Sequence, residues 1–276
     1  MSFELKSLDP ERIRKLRPDM LFGLEGKTAI VTGAGGGLGG WMAAGLAAAG
    51  ANVLMTHHPT SSTAATADAI RAAGGTAREF ACDLLADTAP AEIVREAMAQ
   101  FGRVDILVNN AGTNRREPIF DVSRENWELI GDLNLRVPYE LSREAAKIMS
   151  KNGGGSIIHI GSLTNAIGLD NVSVYGAYKA AVCNLAKSMA VEWARDHIRV
   201  NAICPGFMLT PLSKPLWEDP VRGKWLLQRS PMRRPGYPEE LIGMCLMLAS
   251  EAGSFITGQA MYVDGGWLAG TSWTQG

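Results

Sequence analysis

A cluster of glycines caught between a strand and a helix restricts the fold of this chain more tightly than any other feature. Residues 32–40 read Thr-Gly-Ala-Gly-Gly-Gly-Leu-Gly-Gly. Before them, residues 27–31 form a short apolar run that predicts a strand. After them, residues 38–49 carry a helical pattern that stops at Gly50, and residues 51–56 predict the next strand. The glycines therefore sit at the turn of a βαβ unit, the context in which such a loop binds a dinucleotide. Small residues let the backbone approach a pyrophosphate, and the helix start offers unpaired N–H groups and the positive end of its dipole. A G-x-G-x-x-G match at Gly35, Gly37 and Gly40 begins two residues late. The better register sets Gly33 at the strand end, followed by Gly37 and Gly39.

The alternation continues. Residues 62–73 and 91–101 predict helices, and residues 77–82, 104–108, 156–160, 198–203 and 259–263 predict five further strands. This pattern specifies an α/β fold: one Rossmann-type doubly wound domain with a seven-stranded parallel sheet covered by helices on both faces. Ligands gather at the carboxyl ends of such strands, where Gly33, His57, Asp83 and Asn109 fall. His57 and His58 follow the second strand, a position where an acid often meets the ribose of NAD or a base meets the 2′-phosphate of NADP. Neither is present, so the choice between NAD and NADP stays open. Adjacent strand residues face opposite sides, so the two histidines are not expected to share a metal; one is expected at the adenosine rim. Residues 1–24 read as an N-terminal arm, with a short helix from Asp9-Pro10 to Lys15 ended by Pro18. Residues 25–276 read as a single domain. Pro211, Pro215 and Pro220 break up a stretch of about 207–235 that is expected to act as a substrate lid, with one short helix over 216–227.

Composition narrows the partners. The formal net charge is −1, without the basic excess of a nucleic-acid binder. No apolar run is long enough to span a bilayer, and no signal-peptide pattern opens the chain. The four cysteines, Cys82, Cys183, Cys204 and Cys245, lie far apart in apolar surroundings and read as reduced, buried thiols of a cytoplasmic protein.

The chemistry points to residues 156–187. A strand ends at Gly161-Ser162, and a helical pattern starts near Tyr175. Tyr175 and Lys179 are one turn apart and share a face. An ammonium beside a phenol favours the phenolate, which would bring the phenol toward neutral pH as an acid/base group. Tyr178, adjacent to Lys179, is a rival on spacing alone, although the one-turn relation favours Tyr175. Ser162 can offer a hydroxyl to the same point. In the loop 113–120, Arg115 and Arg116 either grip an anionic substrate or are ordinary surface arginines. A long helix is expected through about residue 151, with Asn134 in its interior.

Taken together, these residues resemble the short-chain dehydrogenase/reductase family over about residues 24–270. Thr32-Gly33-x-x-x-Gly37-x-Gly39 resembles its cofactor loop, with Gly35 and Leu38 inside it. Asn109-Asn110-Ala111-Gly112, Ser162 with Tyr175-x-x-x-Lys179, and Pro205-Gly206 with Thr210 resemble its other motifs. The resemblance implies that Tyr175 exchanges the proton of an alcohol or ketone oxygen and that Lys179 lowers its pKa and binds the nicotinamide ribose. It implies that Ser162 holds the substrate oxygen and Asn134 a relay water. Asp83 with Leu84 would meet the adenine side. Asn110, Ala111, Gly112, Pro205, Gly206 and Thr210 would line the NAD or NADP cofactor.

The same resemblance implies a homotetramer or homodimer. Residues 111–118 and 263–269 are similar to the family's gluconate and deoxygluconate dehydrogenases, which implies a sugar acid or polyol as the small-molecule substrate. Arg115, Arg116 and Trp217 would then be the substrate residues. The apolar character of 207–230 keeps an alternative in view, a reductase of 3-oxoacyl or other lipid or xenobiotic ketones. A non-catalytic dinucleotide-binding protein is the distant alternative.

Overall fold

The structure, a computed structural model, describes residues 7–270. The first six residues of the expected N-terminal arm and the last six of the expected domain lie outside the described residues. Helix α1 (Pro10–Lys15) is capped by Asp9, whose carboxylate accepts from the Arg12 N–H at 2.9 Å. Pro18 does not merely end that helix. It opens a second one, α2 (Pro18–Phe22), because proline needs no N–H at the first helical position.

The remainder alternates: β1 (Thr28–Val31), α3 (Gly37–Ala48), β2 (Asn52–His57), α4 (Ala64–Ala72), β3 (Thr76–Ala81), α5 (Ala89–Phe101) and β4 (Ile106–Asn109). Next come α6 (Arg124–Gly131), a π-helical turn Asp132–Arg136, α7 (Val137–Met149), β5 (Gly155–Ile160), α8 (Ser173–Trp193) and β6 (Ile198–Pro205). The segment expected to be a lid holds α9 (Lys214–Glu218) and α10 (Arg222–Arg229) in place of the single expected helix, and α11 (Ile242–Ala249) and β7 (Ala260–Val263) follow. The split at the lid falls at Asp219-Pro220, where the Asp219 carboxylate accepts from the N–H groups of Val221 and Arg222 and starts α10 afresh.

All seven strands pair in parallel in the order β3-β2-β1-β4-β5-β6-β7. The chain winds outward from β1 to β3, then returns to β4 on the other side of β1. That reversal leaves a crevice above the carboxyl ends of β1 and β4, where Thr32 and Asn110 stand. β1 is buried at every position, and its neighbouring residues feed opposite faces. Ala29 and Val31 join Met42, Leu46, Leu241 and Leu248 on the α3/α11 side. Ile30 joins Ile93, Leu141, Met189 and Val200 on the α5/α7/α8 side. Each such large side chain, taken fully out of water, contributes about 1.5–3 kcal/mol before entropy is counted. The sheet is thereby a stiff floor, and the loops after β1, β4, β5 and β6 leave it at its carboxyl edge.

Candidate active site

The crevice over β1 and β4 is built by one threonine. The Thr32 hydroxyl oxygen accepts from the N–H groups of Asn110 and Ala111, both at 3.0 Å. The Asn110 amide in turn donates to the carbonyls of Thr32 at 2.9 Å and Gly33 at 3.0 Å. These bonds lock the glycine loop to the end of β4. Packing there leaves no room: a Cβ on Gly39 would lie 2.4 Å from both the Asn110 amide nitrogen and the Gly33 carbonyl oxygen. One turn away the opposite holds. Gly37 has φ of +53°, and a Cβ on Gly36 or Gly37 would meet nothing within 4 Å. Open space thus lies against the first, uncapped N–H groups of α3. A pyrophosphate needs just such a backbone cradle, and the site fits the dinucleotide that the loop pattern implies. Leu38 is half-buried at the first turn of α3, and Gly35 lies against the Ser62 carbonyl.

Along the same edge, His57 ends β2 and His58 follows it, with the His57 Nδ1 3.0 Å from the His58 carbonyl oxygen and the His58 Nδ1 2.8 Å from the Thr60 hydroxyl. Asp83 is exposed after β3 and accepts from the Leu85 N–H at 3.0 Å, while Leu84 packs down against the core. Gly206 follows β6 and lies against Asp264, so that a Cβ there would stand 2.6 Å from the Asp264 Cα. Thr210 is tied to Ser213, hydroxyl to hydroxyl, at 3.1 Å.

The residues expected to do the acid/base chemistry come together across β5 and α8. Lys179 is buried, and its Nζ donates to the Ile160 carbonyl at 2.6 Å, stitching helix to strand just before Ser162. That Nζ lies 5.5 Å from the centre of the Tyr175 ring. Burial drives the Lys179 ammonium down to about 8, against the pull of the Cys183 and Cys204 thiols. Tyr175 departs from the sequence-based expectation. Burial holds its phenol above the usual range, the Ser162 hydroxyl beside it acts the other way, and Cys204 adds to the rise. The ammonium's attention is given to the strand carbonyl rather than to the phenol. Tyr178, the rival, faces elsewhere: its ring packs edge-on against Trp127 at 5.6 Å and fills the space over Gly131.

Asn134 sits in the π turn, not in an uninterrupted helix. Its amide donates to the carbonyls of Thr113 at 2.8 Å and Ile130 at 2.9 Å, which pulls the helix open by one residue. Its Oδ1 is buried and has no partner. Gly112 separates that oxygen from Lys179: a Cβ there would be 2.5 Å from the Oδ1 and 3.6 Å from the Nζ. An acceptor left bare beside an ammonium is a place for water.

On the substrate side, Arg115 and Arg116 are exposed on the loop after β4 and form no ion pair among the described residues. Trp217 lies on α9 and lines a cavity of about 90 Å³ with Phe207, Met208 and Trp267, a volume for a few waters. The Trp267 ring also packs at a tilt against Phe207 at 4.8 Å and edge-on against Trp225 at 5.4 Å, which ties the 207–235 segment to the turn after β7.

His159 escaped the sequence reading. It is fully buried on β5, with Nδ1 3.3 Å from the Asn109 amide nitrogen, and the Asn109 amide also donates to the Ser142 hydroxyl at 2.9 Å. Burial, then the charge of Lys179, lowers it to about 3, so it stays neutral. The signal was visible in Ile-Ile-His-Ile: one polar residue in a strand that is apolar on both faces.

Comparisons with known proteins bear on this arrangement. A family model described as enoyl-(acyl carrier protein) reductase matches residues 33–268. A 2-dehydro-3-deoxy-D-gluconate 5-dehydrogenase of Dickeya dadantii is 39% identical over 251 residues, covering 90% of this chain and 98% of its own. A gluconate 5-dehydrogenase of Burkholderia cenocepacia, solved in complex with NADP and tartrate, superposes with a TM-score of 0.86 at 34% identity, covering 91% of this chain and 98% of its own. A 3-oxoacyl (acyl-carrier-protein) reductase of Agrobacterium tumefaciens, solved with NADP bound, gives 0.87 at 34% identity with the same coverage of 91% and 98%.

Proposed function

The chain belongs to the short-chain dehydrogenase/reductase family, and from that premise we propose that its substrate is a sugar acid whose secondary alcohol it interconverts with a ketone. It is an NAD(P)-dependent oxidoreductase. The bound nicotinamide dinucleotide supplies or accepts the hydride; the chain's own residues orient the substrate and move the proton.

In the oxidative direction Ser162 donates to the substrate oxygen and Tyr175, as phenolate, takes its proton. In the reductive direction Tyr175 returns it. Lys179 and a water held on the Asn134 Oδ1 carry the proton onward. Thr32, Gly33, Gly37, Asn110, Ala111, Pro205 and Gly206 hold the dinucleotide. His57 and His58 meet its adenosine end, and Asp83 and Leu84 its adenine. Residues 207–235 act as the lid over one domain, residues 25–276. We place the enzyme in the cytoplasm as a homotetramer or homodimer. In support of assembly, Ile119 and Trp127 stand exposed around a groove of about 610 Å³ beside α6, with Phe120 exposed next to Ile119 in the chain.

One observation carries the proposal. The Ser162, Tyr175 and Lys179 cluster and the bare Asn134 acceptor converge on the edge that holds the glycine cradle, in a chain 39% identical to a sugar-acid dehydrogenase. Exposed Arg115 and Arg116, unpaired among the described residues, supply the charge a carboxylate needs. The test is a substrate panel with each dinucleotide. Gluconate-type acids should be turned over well ahead of neutral polyols and acyl thioesters. Arg116→Ala should raise KM for the acid by tenfold or more, about 1.4 kcal/mol, and leave a neutral polyol little changed. Equal effects on both would remove the arginine from the substrate site. Activity on acyl thioesters alone would favour the lid-based lipid reading, which rests on Phe207, Trp217 and Trp225.

A further inference from the structure

Cys183 and Cys204 are distant in sequence, yet their sulfurs lie 3.6 Å apart. Cys183 is one helical turn beyond Lys179 and two beyond Tyr175, and Cys204 directly precedes Pro205 at the end of β6. The Asn165 amide donates to both sulfurs, at 3.1 Å to Cys183 and 3.4 Å to Cys204, and the Tyr262 hydroxyl fixes that amide by donating to its Oδ1 at 2.6 Å. Above them is Gly161, where a Cβ would be 2.7 Å from the Cys204 sulfur and 2.9 Å from that of Cys183. No side chain separates the pair from the backbone leading into Ser162.

We propose that Cys183 and Cys204 are a redox pair, closed to a disulfide by hydrogen peroxide, and that closure switches the enzyme off. Cys183 is the thiol that reacts with the peroxide. It is the more exposed of the two, at 7% against 0%. The hydrogen bond from Cys204 lowers its pKa first, with Asn165, Lys179 and Lys187 adding to this against burial, whereas Cys204 is raised. The Cys183 thiolate attacks one peroxide oxygen, the O–O bond breaks, and the leaving hydroxide takes up a proton as water. The Cys204 sulfur then attacks the resulting sulfenic sulfur. The S–O bond breaks, and the hydroxyl leaves as water with the Cys204 proton. Two thiols and one peroxide become one disulfide and two waters, and two electrons pass from sulfur to oxygen.

A disulfide is about 2.05 Å long, so the sulfurs must close by roughly 1.5 Å from their separation of 3.6 Å. That draws the turn below Lys179 toward the strand end carrying Pro205-Gly206. Misplacing reacting groups by about 1 Å can cost on the order of a hundredfold in rate.

The experiment treats the full-length chain with hydrogen peroxide, follows activity, and maps peptides without reduction. A Cys183–Cys204 crosslinked peptide should appear as activity falls by roughly tenfold or more, and both should reverse with dithiothreitol. Dimedone should trap the sulfenic acid at Cys183 when Cys204→Ser blocks the second step. Cys183→Ser should stay active in peroxide, and Cys82→Ser should respond like the parent chain. Peptide mapping of the unsubstituted chain reads the bond even where a variant fails to fold. Loss of activity with no crosslink, a crosslink that leaves activity unchanged, or a Cys183→Ser enzyme as peroxide-sensitive as the parent would each overturn the proposal.

Discussion

At the scale of single residues, Tyr175 is where chain geometry and expected chemistry diverge. One helical turn places an ammonium near the phenol, but Lys179 is spent on the Ile160 carbonyl, and burial keeps the phenol protonated. A further positive charge is needed to bring it toward neutral pH, and an oxidised nicotinamide carries one. The tyrosinate difference spectrum between the parent chain and Tyr175→Phe should therefore show no ionisation below about pH 10 in the protein alone. It should move to lower pH when the oxidised dinucleotide is added. Ionisation near neutral pH without dinucleotide would contradict this. Tyr178→Phe should leave turnover within about twofold, since its ring serves Trp127 and Gly131. His159 gives a pH prediction with a definite sign. Its folded value is about 3, below the ordinary 6.5, so the unfolded chain binds the extra proton between those values. Stability should thus rise with pH across that window and fall on acidification, by roughly 1.4 kcal/mol per pH unit within it. Urea midpoints for His159→Asn should lose that part of the slope between about pH 6 and about pH 4, and an unchanged slope would show that His159 is not held neutral.

At the scale of elements, the glycine loop makes a sharp prediction. Gly39→Ala drives a methyl into Asn110 and the Gly33 carbonyl, so stability should drop by about 1–3 kcal/mol and dinucleotide affinity by tenfold or more. Gly243→Ala, where a Cβ meets nothing within 4 Å, should leave affinity unchanged. Isothermal titration with NADP and NAD measures both. The central strands β1, β2, β4 and β5 were legible in the sequence because parallel strands buried on both faces read as largely apolar runs between turn signals. The π turn was not legible. Asp132 to Arg136 holds ordinary helix-compatible residues, and the opening arises from Asn134 reaching Thr113, a partner in a distant loop. The lid was half legible: Pro220 announced a break, but only the capping by Asp219 made it two helices. The cysteine pair was hidden for the same reason as the π turn. Cys183 lies on the Tyr175 and Lys179 face by spacing, but nothing local says that β6 brings Cys204 beneath it.

At the scale of the whole molecule, the reversal of strand order beside β1 explains why loops far apart in sequence serve one reaction. In the proposed mechanism the β1 and β4 ends supply the cradle, β5 and α8 the proton, and the 207–235 segment, held by Trp267, a cover. Light scattering on the eluted protein should give a mass of two or four chains if the exposed face around Phe120 and Trp127 is an interface, and Trp127→Glu should shift it toward one chain. A single-chain mass for the parent would count against that assembly. The central claim is that a proton held by Tyr175 moves in step with hydride transfer to or from a nicotinamide. The most direct test follows reduced nicotinamide absorbance with a sugar acid for the parent and for Tyr175→Phe, alongside dinucleotide binding by titration. The account predicts that turnover falls by roughly a thousandfold or more while the dinucleotide still binds within a few-fold. Near-normal turnover in Tyr175→Phe would contradict it.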